Sequence, residues 1–326
     1  MSEKVMITGV AGLIGSHLSE KLLDLGFEVH AMDIVDLSSN RNLSEVRDRN
    51  GFHYYQGDIR SSEDLDEFFQ TDATVLYHLA SVVGVNRYME DPLSLIDIGV
   101  IGTRALIGLC HKNNTRMLFA STSEVYGRNT VAPWTERDDR VLGATSVDRW
   151  SYSTAKALCE HMLFGVHHKD QWPMSIVRFF NVYGPRQNPI YVVSKSIHRI
   201  LNGNQPELYD DGSQTRCLTY IDDVIDGIIL AATSKNAIGE VINLGNPREN
   251  TMIEVIDAVL KAADSDIKPK NVSTNQKYGS VYEDIPRRVP NVSKANELLG
   301  WSPKTTMEDG IKKTVDWAKA NSWYLQ

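Results

Sequence analysis

Tyr152 and Lys156 are four residues apart in Ser151-Tyr152-Ser153-Thr154-Ala155-Lys156, at the start of a stretch patterned as a helix, so their side chains share one face. A phenol titrates near pH ~10, too high for a base at neutrality, but an ammonium one turn away favours the phenolate. Beside a substrate hydroxyl, such a group can take the proton as the carbon is oxidised. The spacing alone also describes an ordinary surface pair, so its context matters. Upstream, the apolar run Met117-Leu118-Phe119-Ala120 leads directly into Ser121-Thr122-Ser123-Glu124-Val125-Tyr126-Gly127. That puts hydroxyls and the Glu124 carboxylate at the carboxyl edge of a predicted strand.

A cofactor for such chemistry is implied at the other end of the chain. Val5-Met6-Ile7-Thr8 reads as a strand, Gly9, Gly12 and Gly15 as a tight turn, and Leu18, Leu22, Leu23 and Leu25 as one face of a helix ending at Gly26. Glycines let a pyrophosphate approach the backbone, and the helix start, with Leu13 and Ile14, offers free N–H groups to it. A turn packed closely for structural reasons would show the same glycines. The second strand, Phe27 to Met32, ends in Asp33, 18 residues after Gly15, where a carboxylate can accept from adenosine ribose hydroxyls. Asp33 would repel a 2′-phosphate, which favours NAD over NADP; Arg41 stands close enough in sequence to soften that preference. A bound nicotinamide, being cationic, would favour the Tyr152 phenolate further.

The elements between these groups alternate. Strands are predicted around Phe52 to Ile59, Ala73 to Ala80, Arg116 to Ala120, Ser175 to Phe180 and Glu240 to Leu244, with helices from Ser61, over Asp97 to Cys110, from Ser151 through Met162 and over Asp222 to Thr233. The stretch 38–50 is helix-compatible. This is the order of an α/β Rossmann-type, doubly wound parallel sheet, with ligands at the carboxyl strand ends. Asp58 and Ile59, then Leu79 and Ala80, fall at such ends. Beyond Asn181 the turn signals Gly184-Pro185, Gly203, Pro206 and Asp210-Asp211-Gly212 loosen the pattern, and 246–326 is helix-rich, closing on a helix around Met307 to Ala318. We read 1–180 and 219–245 as an NAD-binding domain and 181–218 with 246–326 as a smaller, discontinuous substrate domain.

With 326 residues, 42% of them hydrophobic and 23% charged, the chain can bury a substantial core. A net charge of -8 and the lack of basic runs argue against nucleic acid. No apolar stretch is expected to approach the ~20 residues of a membrane span and no signal-peptide pattern opens the chain, so a cytoplasmic protein is expected. Cys110, Cys159 and Cys217 are scattered and odd in number, and the nine histidines show no ligand spacing. Buried thiols and no metal are expected, with Glu160, His161, His167 and His168 as ordinary residues of one long helix.

Taken together, Thr8-Gly9-x-x-Gly12-x-x-Gly15, Gly57-Asp58-Ile59, His78-Leu79-Ala80, Ser121 to Gly127, Tyr152 to Lys156, Arg178-Phe179-Phe180-Asn181-Val182-Tyr183-Gly184-Pro185-Arg186 and Asp211 to Arg216 resemble, over nearly the whole length, the nucleotide-sugar branch of the extended short-chain dehydrogenase/reductase family. The resemblance implies that NAD takes hydride from the sugar C4 and returns it. It implies that Thr122 shares the substrate proton with Tyr152, that Lys156 also holds the nicotinamide ribose, and that Asn181 and Arg216 contact the diphosphate. Arg216 and Arg288 suit bidentate recognition of a diphosphate, and Arg287 could exchange roles with Arg288. Gly99 stands where the family usually has an Asn that distorts the helix and holds water. A homodimer through the helices carrying Ile101 to Leu109 and Lys156 to Phe164 is implied as well.

Within that branch, 4,6-dehydratases carry Asp-Glu after the Thr; here the pair is Ser123-Glu124, so the acid that expels water is missing. Thr122-Ser123-Glu124, Tyr88 in Tyr88-Met89-Glu90-Asp91-Pro92, and Arg288 ahead of Pro290-Asn291-Val292 instead look like UDP-glucuronate decarboxylases. With C4 as a ketone, the C6 carboxylate belongs to a β-keto acid; Thr122, Ser123 and Arg288 could stabilise the enolate as carbon dioxide leaves, and Glu124 could manage protons. The loop Ser81 to Arg87 looks closer to C4 epimerases, which keeps nucleotide-sugar epimerisation as the alternative. A non-catalytic NAD-sensing module is a remote third reading, since it would need neither Tyr152 nor Lys156.

Overall fold

The computed structural model describes residues 2–82, 84, 91–273 and 287–326. Seven strands form the central sheet: β1 (Lys4–Thr8), β2 (Glu28–Asp33), β3 (Phe52–Gln56), β4 (Val75–His78), β5 (Arg116–Thr122), β6 (Met174–Phe179) and, later in the chain, β11 (Glu240–Leu244). Their spatial order is β11-β6-β5-β4-β1-β2-β3, and every pairing is parallel. The Rossmann-like fold expected from the sequence is therefore present. The central strands are apolar because both faces are covered: β4 is buried at all four positions. The order reverses between β1 and β4, which opens a crevice at their carboxyl ends.

Helices α1 (Leu13–Asp24), α2 (Ser62–Phe68), α3 (Pro92–Lys112), α4 (Arg149–Asp170), α5 (Val192–Leu201), α6 (Ile221–Thr233), α7 (Met252–Ala263), α8 (Ser293–Leu299) and α9 (Met307–Ala320) surround the sheet. One apolar cluster runs from Val5 and Leu18 under α1 through Ile221 and Ile228 of α6 to Val255 of α7 and Ile311 of α9. The later segments thus share a core with the sheet. Short strands β7 (Val182–Tyr183) and β10 (Thr219–Tyr220) pair with each other, as do β9 (Thr215–Cys217) with β12 (Glu249–Thr251) and β8 (Glu207–Tyr209) with β13 (Lys270–Val272).

Several expectations need correction. The stretch 38–50 holds only the short 3-10 turn Arg41–Leu43, whereas α5 lies where turn signals dominated. Its Val193, Ile197 and Ile200 form a buried stripe at helical spacing. Helix α3 is 21 residues long and, by length and composition alone, apolar enough to cross a membrane, against the expectation that no such stretch exists. In this fold its Leu95, Leu106, Ile107 and Cys110 are buried within the protein. Its middle, Asp97–Gly102, is a π-helical turn. The helix distortion is therefore present with glycine at position 99, and the Cys159 thiol of α4 donates to the Gly99 carbonyl at 3.2 Å.

Candidate active site

Each glycine of the first turn has its own reason. Gly9 sits at φ +75° with any Cβ 2.6 Å from the Ala80 backbone nitrogen, so it is fixed by the close approach of β4. A Cβ on Gly15 would strike the Val10 Cα at 2.6 Å, which closes α1 onto the turn. At Gly12 a Cβ would meet only the Gly9 carbonyl at 3.5 Å, so this is the position that faces open space. Helix α1 starts at Gly12 with no side-chain cap and no acidic residue in its first turn, whereas α2, α7 and α9 are capped by Ser61, Thr251 and Thr306. An uncapped, uncharged helix start beside an open glycine fits a pyrophosphate.

Asp33 braces the same turn, its Oδ2 accepting from the Ala11 N–H at 2.9 Å, while the Asn42 side-chain amide donates to the Ala11 carbonyl at 2.9 Å. The Arg41 guanidinium lies over the Trp323 ring at 5.7 Å. Farther along the crevice, the Asp58 carboxylate accepts from Arg60 and is held below the usual carboxylate range by that bond. Ile59 fills the space left by Gly102 of the π turn, where a Cβ would come within 2.6 Å of its Cγ1. Leu79 and Ala80 close the β4 end, where the Ala80 N–H donates to Thr8 Oγ1 at 3.4 Å. The group these residues fit is NAD.

Helix α4 brings Tyr152 and Lys156 to the crevice with both residues buried. The Lys156 ammonium donates to the Ala120 carbonyl at 2.8 Å, and it lies 4.7 Å from the Phe119 ring centre and 5.9 Å from that of Tyr152. Burial lowers its pKa from 10.5 to about 8. Tyr152 packs with Leu95 of α3 and Ala155. Beneath them His78 bridges Thr8 and Thr103, 2.8 Å to each hydroxyl, and burial followed by the Lys156 charge pushes its pKa down to about 3. A neutral imidazole thus ties β1, β4 and α3 together under the lysine.

The end of β5 turns at Thr122, whose Oγ1 accepts from the Glu124 N–H at 3.2 Å and starts the 3-10 turn Ser123–Tyr126. Ser123 is buried. The structure separates the two candidate arginines. Arg288 donates from Nη1 to Glu124 Oε1 at 2.5 Å, whereas Arg287 grips Glu249 of β12. Asn181, at φ +37°, donates to the Cys217 carbonyl at 3.3 Å, and Arg216 donates from Nη1 to the Thr215 carbonyl at 2.8 Å. Both therefore stand at the β9–β10 segment. Tyr88 lies outside the described residues.

Two features escaped the sequence reading. Arg149, three residues before Tyr152, is buried with Nη2 at 3.7 Å from Glu124 Oε2, so Glu124 sits between two guanidiniums. Glu160, expected to be an ordinary helix residue, is 5% exposed and accepts from Arg178 Nε at 3.0 Å, Arg178 Nη2 at 2.6 Å and the Ser121 hydroxyl at 2.5 Å. Burial works against the Arg178 charge, and Glu160 more than offsets it. Arg178 also donates to the Tyr126 hydroxyl, which donates to Asn243 of β11 at 2.7 Å. This network locks α4 to β5, β6 and β11. The i, i+4, i+8 series Tyr152, Lys156, Glu160 was the available signal.

Residues 6–314 match the family model described as GDP-mannose 4,6 dehydratase. Among curated relatives, the UDP-N-acetyl-alpha-D-glucosaminuronate decarboxylase of Bacillus cytotoxicus is 35% identical over 331 residues, covering 97% of this chain and 98% of that one. UDP-glucuronic acid decarboxylase 1 of Danio rerio is 32% identical over 334 residues, covering 99% of this chain and 76% of the relative. Among solved structures, UDP-glucuronic acid 4-epimerase from Bacillus cereus, in complex with UDP-glucuronic acid and NAD, aligns with a TM-score of 0.85 at 29% identity over 97% of this chain and 99% of that one.

Proposed function

The chain belongs to the GDP-mannose 4,6-dehydratase-like family of extended short-chain dehydrogenases/reductases, and on that premise we propose that it is an NAD-dependent nucleotide-sugar decarboxylase acting on a UDP-hexuronate of the UDP-glucuronate type. The observation that carries this reading is the Arg288 guanidinium on Glu124, beside a buried Ser123 where a dehydratase needs an acid. The decarboxylases among its relatives support the same choice.

NAD, when bound, supplies the hydride acceptor for C4 of the sugar and the donor that resets it. Tyr152 takes the C4 hydroxyl proton, aided by the Lys156 ammonium. Thr122 and Tyr152 then donate hydrogen bonds to the C4 ketone oxygen. The C5–C6 bond breaks, carbon dioxide leaves, and its electron pair moves to the C4 oxygen as an enolate. Arg288, Thr122 and Ser123 stabilise that charge, and the Glu124 carboxylate, held between Arg288 and Arg149, orients the water that gives C5 its proton, the hydroxide left being neutralised by the solvent. Asn181 and Arg216 orient the diphosphate, and Tyr88 belongs to the substrate side. In this reading 1–180 and 219–245 hold NAD, and 181–218 with 246–326 hold the nucleotide sugar.

The deciding assay incubates the purified enzyme with UDP-glucuronate, UDP-N-acetylglucosaminuronate and UDP-glucose. Carbon dioxide with a nucleotide pentose is expected from a uronate. Conversion without change of mass on any of them would instead make the enzyme a C4 epimerase, a reading favoured by its likeness to the Bacillus cereus structure.

The same reading includes a homodimer. Leu93 and Ile101 of α3 are 72% and 55% exposed, and Leu158 of α4 is 47% exposed, apolar side chains that a second copy would cover. Light scattering should give twice the chain mass, and the chain mass for Ile101→Asp. The free, buried Cys110, Cys159 and Cys217 suit a reducing, cytoplasmic setting, which fractionation of the native cells checks.

A further inference from the structure

At the outer edge of the sheet, we propose that Glu28, His30 and His53 form a binding site for a divalent transition-metal ion of the zinc class. Glu28 and His30 are two apart on β2 and point to one face, and His53 is the direct register partner of His30 on β3. Both imidazole Nε2 atoms converge on Glu28 Oε1, at 3.2 Å from His30 and 3.1 Å from His53. A tetrahedral zinc with ligands at about 2.0–2.1 Å has ligand–ligand edges of about 3.3–3.4 Å, so these spacings are close to coordinating ones.

The surroundings suit an ion. His30 Nδ1 is hydrogen-bonded to the Tyr55 hydroxyl at 3.0 Å, which fixes the ring and leaves Nε2 facing the shared point. The two rings stack with centroids 4.7 Å apart and planes within 19°, so closing their tips on one ion takes a small rotation of His53. His53 is 46% exposed, which leaves that ring free to turn and gives water access for a fourth ligand. Lys4, the register partner of Glu28, is engaged by Asp72 at 2.7 Å. Two imidazoles and one carboxylate select zinc, nickel or copper over magnesium or calcium. The sequence reading expected no metal because ligands on neighbouring strands carry no fixed sequence spacing.

Bound there, the ion would cross-link β2 to edge strand β3. The test titrates zinc chloride into the chelator-dialysed enzyme with its cofactor retained. One saturable equivalent and a raised melting temperature are expected, and cobalt should give the visible absorption of a tetrahedral site. His53→Ala and Glu28→Gln, placed away from the carboxyl strand ends, should weaken zinc at least tenfold with turnover unchanged. No saturable equivalent in the wild type, or a smaller loss in both variants, overturns the proposal.

Discussion

Arg288 reaches Glu124 across 164 residues of chain, Nη1 to Oε1 at 2.5 Å, with only 11% and 14% of the two side chains exposed. The pair delivers a cation to the turn where β5 ends. If that cation stabilises the enolate formed on loss of carbon dioxide, Arg288→Met should lower carbon dioxide release about 10²–10³-fold, the usual cost of one such donor. Oxidation at C4 uses Tyr152 and Lys156, so a 4-keto sugar that still carries its carboxylate should accumulate and be trapped by an aminooxy reagent. Equal loss of both steps would mean that Arg288 only holds the substrate.

Lys156 is kept charged at a cost to the fold. Burial lowers its pKa to about 8 from 10.5, so below pH 8 the folded protein holds a buried ammonium. The folded pKa lies below the unfolded one, so this group's contribution to stability is most favourable above pH 10.5 and is lost as pH falls through about 8. Lys156→Met, which does not titrate, should therefore gain on the wild type by about 3 kcal/mol as pH falls from 10.5 to 8, while losing turnover. Urea melts of both proteins should show that gap closing between pH 8 and 10.5.

Two histidines set the acid limit. Burial, then the charge of Arg186, pushes His17 down to about 4, and burial, then Lys156, pushes His78 to about 3, against 6.5 when unfolded. Below pH 6.5 the unfolded chain takes up protons that the folded chain refuses, so stability present at pH 7 is lost as pH falls. Together the pair should cost about 4 kcal/mol between pH 7 and pH 5, measured by urea denaturation. His17→Gln should remove about half of that loss.

All seven strands of the sheet were legible because each is a short run of apolar or aromatic residues, with polar ones interspersed in β2 and β3, bounded by turn residues. The Tyr152–Lys156 pair was legible because helical spacing puts it on one face. Arg149 was not, since its meeting with Glu124 depends on where α4 begins relative to the end of β5. Glu160 looked like a solvated helix residue because its partner Arg178 lies on β6, 18 residues away. The π turn left no mark either, as Gly99 removes the side chain from which a distortion is inferred. Helix α5 was masked by glycines and prolines flanking a good amphipathic stripe.

The glycine turn gives the sharpest separation of binding from folding. A Cβ on Gly9 would sit 2.6 Å from the Ala80 nitrogen at φ +75°, and one on Gly15 would meet the backbone of Gly9 and Val10. Gly9→Ala and Gly15→Ala should therefore lose stability, by several kcal/mol where backbone must move. Gly12→Ala meets nothing closer than 3.5 Å and keeps φ at -75°. It should fold with a melting temperature near that of the NAD-free wild type. Its methyl group instead projects into the space that a pyrophosphate would use at the start of α1, so NAD should be lost on purification and turnover with it. Cofactor released by heat denaturation, compared with the melting temperature of each variant, measures both effects. A Gly12→Ala enzyme that retains one NAD per chain would place the pyrophosphate elsewhere than on this turn.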